Sequence, residues 1–270
     1  MYEEFYGFYE SPFNITPDPR FLFFSSRHQE AFDHLLFGIK ERKGFIQITG
    51  DVGTGKTTLC RALLETLDPG YKTALILNPC MTGPQLLRTI VKEFGMTPTR
   101  NDRVLWLEAL NRFLLEQVGH NHDVVLFIDE AQDLSRDLME QVRLLSNLET
   151  DRQKLLQIVL IGQPELREML NDRRLLQLRQ RITVRYHLTA LNFTETEQYI
   201  EHRLRIAGSN GRLSFNRPAL KKIYKYSGGI PRLINAICDK TLLCGYVERD
   251  HLLTSRHLRR AVRELEGKGR

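Results

Sequence analysis

Residues 50–57 have the glycine and lysine spacing of a phosphate-binding loop, G-x-x-x-x-G-K-[ST]. A strand-like run precedes them at residues 45–49, and an amphipathic helix follows at residues 57–65. The glycines allow successive backbone N–H groups to curl around a phosphate, above the positive end of the helix. We expect Lys56 to reach the β- and γ-phosphates and the Thr57 hydroxyl to ligate Mg²⁺. The predicted site for a nucleoside triphosphate comprises Gly50, Asp51, Val52, Gly53, Thr54, Gly55, Lys56, Thr57 and Thr58.

A second apolar run, residues 124–128, ends in two carboxylates, Asp129 and Glu130. Asp129 is placed to hold Mg²⁺, directly or through water, and Glu130 to orient and deprotonate an attacking water. Alone this pattern is weak, but it follows the phosphate-binding loop by about 70 residues and so predicts triphosphate hydrolysis.

The next apolar run ends at Gln163. An amide at this position could hold the nucleophilic water or sense the γ-phosphate. A strand that simply ends in glutamine is the alternative.

Strand and helix signals alternate along the first two thirds of the chain. Strands are predicted at residues 45–49, 73–77, 123–128 and 155–161, and helices at 26–43, 84–94, 102–118 and 135–147. This alternation is typical of a right-handed α/β layer fold with a parallel sheet. The first 25 residues are rich in aromatics and proline, and we expect them to pack across the nucleotide-binding domain.

From Leu191 onward the pattern indicates helices only. A capping box is predicted at residues 194–197, Asn216 is a predicted cap and Pro231 starts another helix. A last helix is expected to begin at Thr254 or Ser255 and to end near residue 267. We therefore predict an αβα domain over residues 1–190 and a small all-α lid over residues 191–270.

The net charge of +6 is unevenly distributed along the 270 residues. Residues 191–270 contain 16 Lys and Arg against 8 Asp and Glu, a net +8, whereas residues 1–190 carry −2. A basic C-terminal part could contact nucleic acid or an acidic partner. Because its basic residues are interleaved with acidic ones, a solvated helical surface is favoured.

Composition also argues against membrane and secreted classes. No apolar run approaches the roughly 20 residues of a membrane-spanning helix. The N-terminus is acidic and aromatic, unlike a signal peptide. We expect a cytoplasmic protein, peripheral to the inner membrane at most through a partner. The four cysteines lack metal-ligand spacing and are expected to be thiols, mostly buried.

The order of phosphate loop, Asp-Glu strand, polar strand end and helical lid resembles the AAA+ ATPases, and within them the ExeA/GspA-type group of secretion- and pilus-associated ATPases. The similarity spans nearly the whole chain. It is carried by residues 6–8, 12–13, 16–19, 28, 31, 50–57, 128–132, 161–166, 178–182 and 228–232.

The resemblance implies roles for several further residues. Gln163 would be the first sensor, and Arg232, after Gly-Ile-Pro, the second sensor acting from the lid. Arg179 and Arg181 would be candidates for an arginine finger inserted into a neighbouring subunit's site; structural salt bridges are the alternative. Phe13 and His28 would lie near the adenine. A ring or helical homo-oligomer is implied, since a finger acting in trans needs a neighbour.

The function that this resemblance implies is Mg²⁺-dependent ATP hydrolysis that drives or regulates a cell-envelope system: type II secretion, a pilus or exopolysaccharide export. The larger ExeA/GspA proteins carry a transmembrane helix and a peptidoglycan-binding domain after the ATPase. Neither occurs in these 270 residues, so direct cell-wall binding is not expected.

Two other functions remain open from the sequence. One is an ATP-switched DNA-binding regulator of the transposition-protein type, to which the basic C-terminal part points. The other is a scaffold that binds nucleotide without hydrolysing it, against which the Asp129-Glu130 pair argues.

Overall fold

The computed structural model describes residues 1–97, 102–149 and 154–267. Within them the α-helices are α1 (Tyr2–Tyr6), α2 (Ser26–Lys40), α3 (Lys56–Thr66), α4 (Gly83–Glu93), α5 (Arg103–Gly119), α6 (Arg136–Leu145), α7 (Pro164–Leu170), α8 (Leu176–Arg181), α9 (Phe193–Ile206), α10 (Arg217–Ser227), α11 (Pro231–Glu248) and α12 (Ser255–Leu265). The strands are β1 (Phe45–Gly50), β2 (Tyr71–Ile76), β3 (Asp123–Ile128), β4 (Gln157–Gly162), β5 (Ile182–Leu188), β6 (Ser214–Phe215) and β7 (Leu252–Leu253). The last three residues of the predicted lid, 268–270, lie outside the described ranges.

The chain divides into two compact units. The sheet unit comprises Gln29–Val52 and Leu59–Leu188, and the helical unit comprises Met1–His28, Gly53–Thr58 and Thr189–Arg270. The change from alternating strands and helices to helices thus falls next to residue 188.

The sheet unit is built on five parallel strands in the order β2-β3-β4-β1-β5. β1, β3 and β4 are apolar runs, and nearly all of their side chains are buried. Such runs are typical of strands covered on both faces, because crossover helices pack on each side of a parallel sheet. The predicted parallel α/β fold is confirmed. The sequence analysis did not predict β5, an edge strand whose buried and exposed residues alternate.

Helices of the sheet unit bury one apolar stripe each. In α5 this stripe contains Trp106, Leu110 and Leu114, spaced by four residues so that they share one face. They join a core that includes Leu126 and Ile128 of β3. Burying each such side chain stabilises the fold by about 1.5–3 kcal/mol, which holds β3 in place beneath the residues that follow it.

The helical unit has its own core, and the N-terminal aromatic residues belong to it. Tyr6 and Phe13 pack with residues of α9 and α11. The Tyr6 hydroxyl donates a hydrogen bond to the Leu242 carbonyl at 3.1 Å, and Arg203 Nε donates to the Pro12 carbonyl at 2.5 Å. The expectation that residues 1–25 pack across the nucleotide-binding domain is wrong for these aromatic residues, because α9 and α11 have apolar faces that the aromatic rings fill.

Several element boundaries in the helical unit were predicted. Asn216 caps α10, Pro231 begins α11 and Thr254 caps α12. The predicted capping box at residues 194–197 is wrong: Asn192 is the N-cap of α9, and its side chain accepts a hydrogen bond from Glu195 N at 2.9 Å. The short parallel pair β6–β7 was not predicted. Among helices of the described ranges, none combines the length and apolar character needed to cross a bilayer.

Phe13 provides a test of this packing. The Phe13 side chain is 1% exposed, whereas Tyr9 of the same segment is 90% exposed. We expect Phe13→Ala to lower the free energy of unfolding by about 3–5 kcal/mol, because it leaves a cavity in the core. Chemical denaturation followed by circular dichroism measures the change. Tyr9→Ala is the matched control and should cost less than about 1 kcal/mol; equal losses from the two substitutions would contradict the packing described here.

Candidate functional site

Candidate site residues lie at the ends of three adjacent strands of the sheet unit, at one edge of the sheet. Gly50 ends β1, Asp129 and Glu130 follow β3, and Gln163 follows β4, which lies between the other two strands. Because all three strands are parallel, their carboxyl ends meet at the same edge, where α/β proteins bind ligands. Asp129 is buried; its backbone N–H donates to the Ile76 carbonyl at 2.8 Å. Its carboxylate accepts from the backbone N–H of Glu130 at 2.9 Å.

Glu130 is held by two amides. Gln132 Nε2 donates to Glu130 Oε2 at 2.8 Å, and Gln163 Nε2 donates to the same oxygen at 3.2 Å. Gln132 Oε1 in turn accepts from the backbone N–H of Gln163 at 3.0 Å. These three residues form a closed network that fixes the direction of the Glu130 carboxylate.

The sequence analysis selected Glu130 and Gln163 but missed Gln132 as a site residue. Gln132 lies in the 3₁₀ turn Ala131–Asp133, which directly follows Glu130. The available signal was its position two residues after a carboxylate at a strand end. Its contact with Gln163 depends on β3 and β4 being neighbours, which local sequence does not reveal.

The backbone of Glu130 is in the left-handed region, with φ 50° and ψ 40°. A residue other than glycine pays an energy of roughly 1–3 kcal/mol in such a conformation, and these conformations concentrate at functional sites. The turn redirects the chain immediately after β3, so that Gln132 can reach back to the Glu130 carboxylate.

The phosphate-binding loop connects β1 to α3. Its first three residues belong to the sheet unit, and Gly53–Thr58 belong to the helical unit. Gly53 and Gly55 have φ of 81° and 100°, which glycine adopts without strain. Lys56 is the first residue of α3 and is buried. The positive end of a helix dipole therefore lies at the residues that the sequence assigns to the phosphates.

Arg232 lies directly against this loop within the helical unit. Its backbone N–H donates to the Gly53 carbonyl at 3.2 Å. A Cβ atom on Gly53 would come within 2.6 Å of the Arg232 Cβ and within 3.2 Å of the Ile230 side chain. Gly53 is thus required for the close approach of α11 to the loop.

His28 holds the other side of the loop. Its Nε2 lies 3.0 Å from the Thr54 carbonyl, and its Nδ1 lies 2.7 Å from Ser25 Oγ. Because a carbonyl only accepts, Nε2 carries the proton and Nδ1 of the neutral ring accepts from the Ser25 hydroxyl. Burial lowers the pKa of His28, with a smaller opposing effect from the hydrogen bond to Thr54.

Two residues, Phe13 and His28, were expected near an adenine. Phe13 is part of the core of the helical unit, where it is not exposed to a ligand. His28 contacts the backbone of the phosphate-binding loop. The sequence analysis did not anticipate this contact, because the two residues are 26 positions apart.

The two candidate arginines differ in their contacts. Arg181 Nη1 donates to Ser146 Oγ at 2.8 Å and to Asn147 Oδ1 at 2.5 Å, so its guanidinium is engaged within its own chain. Arg179 is exposed on α8, and its backbone carbonyl accepts from Arg185 Nη2.

Comparisons with known proteins agree with this architecture. Residues 39–170 match the family described as an AAA domain. The chain is 44% identical over 269 residues to "General secretion pathway protein A" of Aeromonas hydrophila, which covers 99% of this chain and 49% of the relative. The chain therefore spans about half the length of that curated relative.

Two solved structures share the fold at low identity. The ORC2 protein of Aeropyrum pernix, in ADPNP–ADP complexes, has a TM-score of 0.67 at 18% identity, covering 88% of this chain and 67% of that one. Drosophila ORC bound to DNA has a TM-score of 0.66 at 20% identity, covering 94% of this chain and 64% of that one.

The environment of His28 predicts that the free energy of unfolding depends on pH. Its pKa in the folded state is below the ordinary value of 6.5, so the unfolded chain binds its proton more readily. The stabilisation is therefore complete above about pH 6.5 and is lost as the pH falls from there through the folded-state pKa. Unfolding titrations of wild type and His28→Gln between pH 5 and 7.5 measure this difference.

His120→Gln, in an exposed turn, is the matched control and should retain the wild-type pH profile. A wild-type profile that is superimposable on that of His28→Gln would contradict the assigned neutral histidine.

Proposed function

We infer that this chain, which belongs to the AAA+ ATPases of the ExeA/GspA type, hydrolyses ATP and couples hydrolysis to a change in its helical unit. The observation that carries the proposal is the Glu130 carboxylate held by Gln132 and Gln163 at the carboxyl edge of the sheet. A residue confined to that position, with a strained backbone, is suited to orient a water.

The residues for the metal and the phosphates fit the expected cofactor chemically. Thr57 offers a hydroxyl oxygen and Asp129 a carboxylate, the hard oxygen ligands that Mg²⁺ prefers. Bound Mg²⁺ would neutralise the charge on the phosphate oxygens. We propose that Lys56 and the N–H groups of residues 50–58 hold the phosphates.

In the proposed reaction Glu130 accepts the proton of the water that attacks the γ-phosphorus. The Gln163 amide, which is hydrogen-bonded to the same carboxylate, is the proposed first sensor. Loss of the γ-phosphate removes the group that this amide and the attacking water face. Arg232 is the proposed second sensor. Its contact with the Gly53 carbonyl supports a direct connection between the phosphate-binding loop and α11.

We propose Arg179 as the arginine finger that a neighbouring copy receives. The engagement of Arg181 with Ser146 and Asn147 supports a structural role for Arg181. A shared site implies a ring or helical homo-oligomer, because each copy supplies the positive charge that its neighbour's phosphates require.

The cellular role proposed is the assembly or regulation of a cell-envelope system from the cytoplasmic side, through a protein partner of the envelope machinery. The similarity to a general secretion pathway protein supports this role. Type II secretion, a pilus and exopolysaccharide export are the candidate systems.

DNA binding is the second candidate. The net +8 of residues 191–270 and the fold shared with Drosophila ORC bound to DNA favour it. ATP-dependent retention on DNA that weakens steeply with salt would select this function.

Substitution of Glu130 tests the proposed chemistry. Glu130→Gln keeps the shape of the side chain but removes the base, so we expect kcat to fall by about 10²–10⁴-fold while ATP still binds. Steady-state phosphate release and binding of a fluorescent ATP analogue measure the two properties. Glu168→Gln, exposed on the surface of the sheet unit, is the matched control. Unchanged turnover of Glu130→Gln would remove Glu130 from the mechanism.

The shared site is tested by mixing inactive variants. Arg179→Ala should lower kcat by about 10³–10⁵-fold, because the positive charge on the transferring phosphate is lost. Lys56→Ala should bind nucleotide poorly but still carries Arg179. Mixing the two should therefore restore part of the ATPase activity, in proportion to the mixed interfaces.

Arg181→Ala is the matched control and should lower stability more than turnover. If the mixture stays inactive, and wild-type specific activity is independent of protein concentration with and without DNA, the trans arrangement is wrong.

A further inference from the structure

The sheet unit contains a basic cavity whose lining shares one residue, Arg179, with the proposed ATPase mechanism. It has a volume of about 370 Å³ and lies among β1, β5, α7 and α8. Its lining residues are Gln47, Thr49, Arg167, Leu170, Asn171, Arg179, Ile182, Arg185, Tyr186 and His187. None of the residues of the phosphate-binding loop, and neither Asp129 nor Glu130, belongs to this lining.

The charge of the cavity is of one sign. Arg167, Arg179 and Arg185 contribute three guanidinium groups, and the lining contains no carboxylate. Across the described ranges, none of these three arginines has a salt-bridge partner within 4.0 Å. Arginines on folded surfaces commonly pair with acidic groups, so three converging without one create a strongly positive site.

Gln47 adds an independent observation. Its side chain is 4% exposed, and its Nε2 has no hydrogen-bond partner among the residues that the structure describes. It lies opposite Arg185 in the register of β1 and β5, just as Thr49 lies opposite His187. A buried amide donor without an acceptor is unfavourable, and each such group in a native structure calls for an explanation.

On the same face, the neighbouring pair Thr49 and His187 forms a hydrogen bond between its side chains. Thr49 Oγ1 lies 3.0 Å from His187 Nδ1, so these two side chains satisfy each other. The Gln47 donor lacks such a partner, and it lines the same cavity as the three arginines. The donor atom itself is buried, so an anionic acceptor in the cavity would supply the missing hydrogen bond after a change of the Gln47 side-chain rotamer.

We propose that this cavity is a second anion site, which binds a small organic phosphate. Three guanidinium groups suit the doubly charged, multiply accepting oxygens of a phosphate. The volume is larger than a bare phosphate needs and falls in the range of small-molecule pockets. The phosphate group contacts Arg167, Arg185 and Gln47, and the organic part occupies the space toward Tyr186 and His187.

The site is tested with inorganic pyrophosphate as the probe, on the full chain carrying Lys56→Ala to suppress binding at the phosphate-binding loop. ¹H–¹⁵N spectra follow the Gln47 side-chain amide and the arginine Nε groups during the titration, with sodium chloride at matched ionic strength. We expect saturable chemical-shift changes of the Gln47 amide and the Arg185 Nε group. The affinity for pyrophosphate that they give should not depend on protein concentration.

Arg167→Ala and Arg185→Ala, each added to Lys56→Ala, should weaken pyrophosphate binding at least tenfold. Arg173→Ala, which removes the same charge outside the cavity, is the matched control and should bind as the parent does. Gln47→Leu should raise the thermal midpoint of the free protein, because it removes the unpartnered donor, and should weaken pyrophosphate binding.

Three results would overturn the proposal. One is a set of shifts that grow linearly with pyrophosphate and match those of sodium chloride. Another is equal weakening by Arg173→Ala and Arg185→Ala. The last is binding that appears only with an intact Lys56, which would make the arginines part of the shared ATP site. None of these outcomes bears on Glu130, so the ATPase proposal is tested separately.

Discussion

The parallel pairing of β3, β4 and β1 is the constraint on which the candidate site depends. Because the three strands run in one direction and in register, the residues that follow them meet at a single edge. Glu130 and Gln163 are 33 positions apart in the chain, yet the pairing of β3 with β4 brings their side chains to 3.2 Å. A strand running in the opposite direction would carry its terminal residue to the far edge. Burial of β3, β4 and β1 in an apolar core makes that direction and register costly to change.

The conformation of the phosphate-binding loop depends on contacts with residues that are distant in sequence. Both ring nitrogens of His28 are engaged in hydrogen bonds, one with the Ser25 hydroxyl and one with the Thr54 carbonyl. The ring therefore supports the loop and is not assigned to proton transfer. Arg232 approaches Gly53 so closely that a side chain on that glycine would collide with it. The loop glycines therefore serve two purposes, since they adopt positive φ and also leave space for packed neighbours. This explains why a loop made largely of glycine and small residues can keep one conformation.

Local patterns predicted the parts of the molecule that local physics determines. The phosphate-binding loop, the Asp129-Glu130 strand end and the helix starts at Asn216 and Pro231 each depend on a few adjacent residues. The cap of α9 was misplaced because Asn192 and Thr194 are each followed by a glutamate three residues later, so the pattern alone does not choose between them. Long-range packing was not predictable. The aromatic character of the N-terminal residues indicates that they are buried, but it does not indicate which helices they pack against. Gln132 was missed for the same reason, because its role arises from the adjacency of two strands.

Electrostatics joins these features, because a nucleoside triphosphate brings several negative charges to an edge that already carries Asp129 and Glu130. Such a site needs cationic charge at defined points rather than a general excess. In the proposed mechanism Lys56 and the N-terminus of α3 supply it at the loop. Burial disfavours a protonated His28 more than the Thr54 carbonyl and the nearby Glu195 favour it, as the lowered pKa of the ring shows. The neutral histidine thus contacts the loop backbone without adding a positive charge to it. The three arginines of the sheet-unit cavity follow a different rule, since their charge converges on a space lined by no acidic group and by one unpartnered amide. An anion in that space would balance the charge, which is the physical reason for the second anion site proposed here besides the phosphate-binding loop.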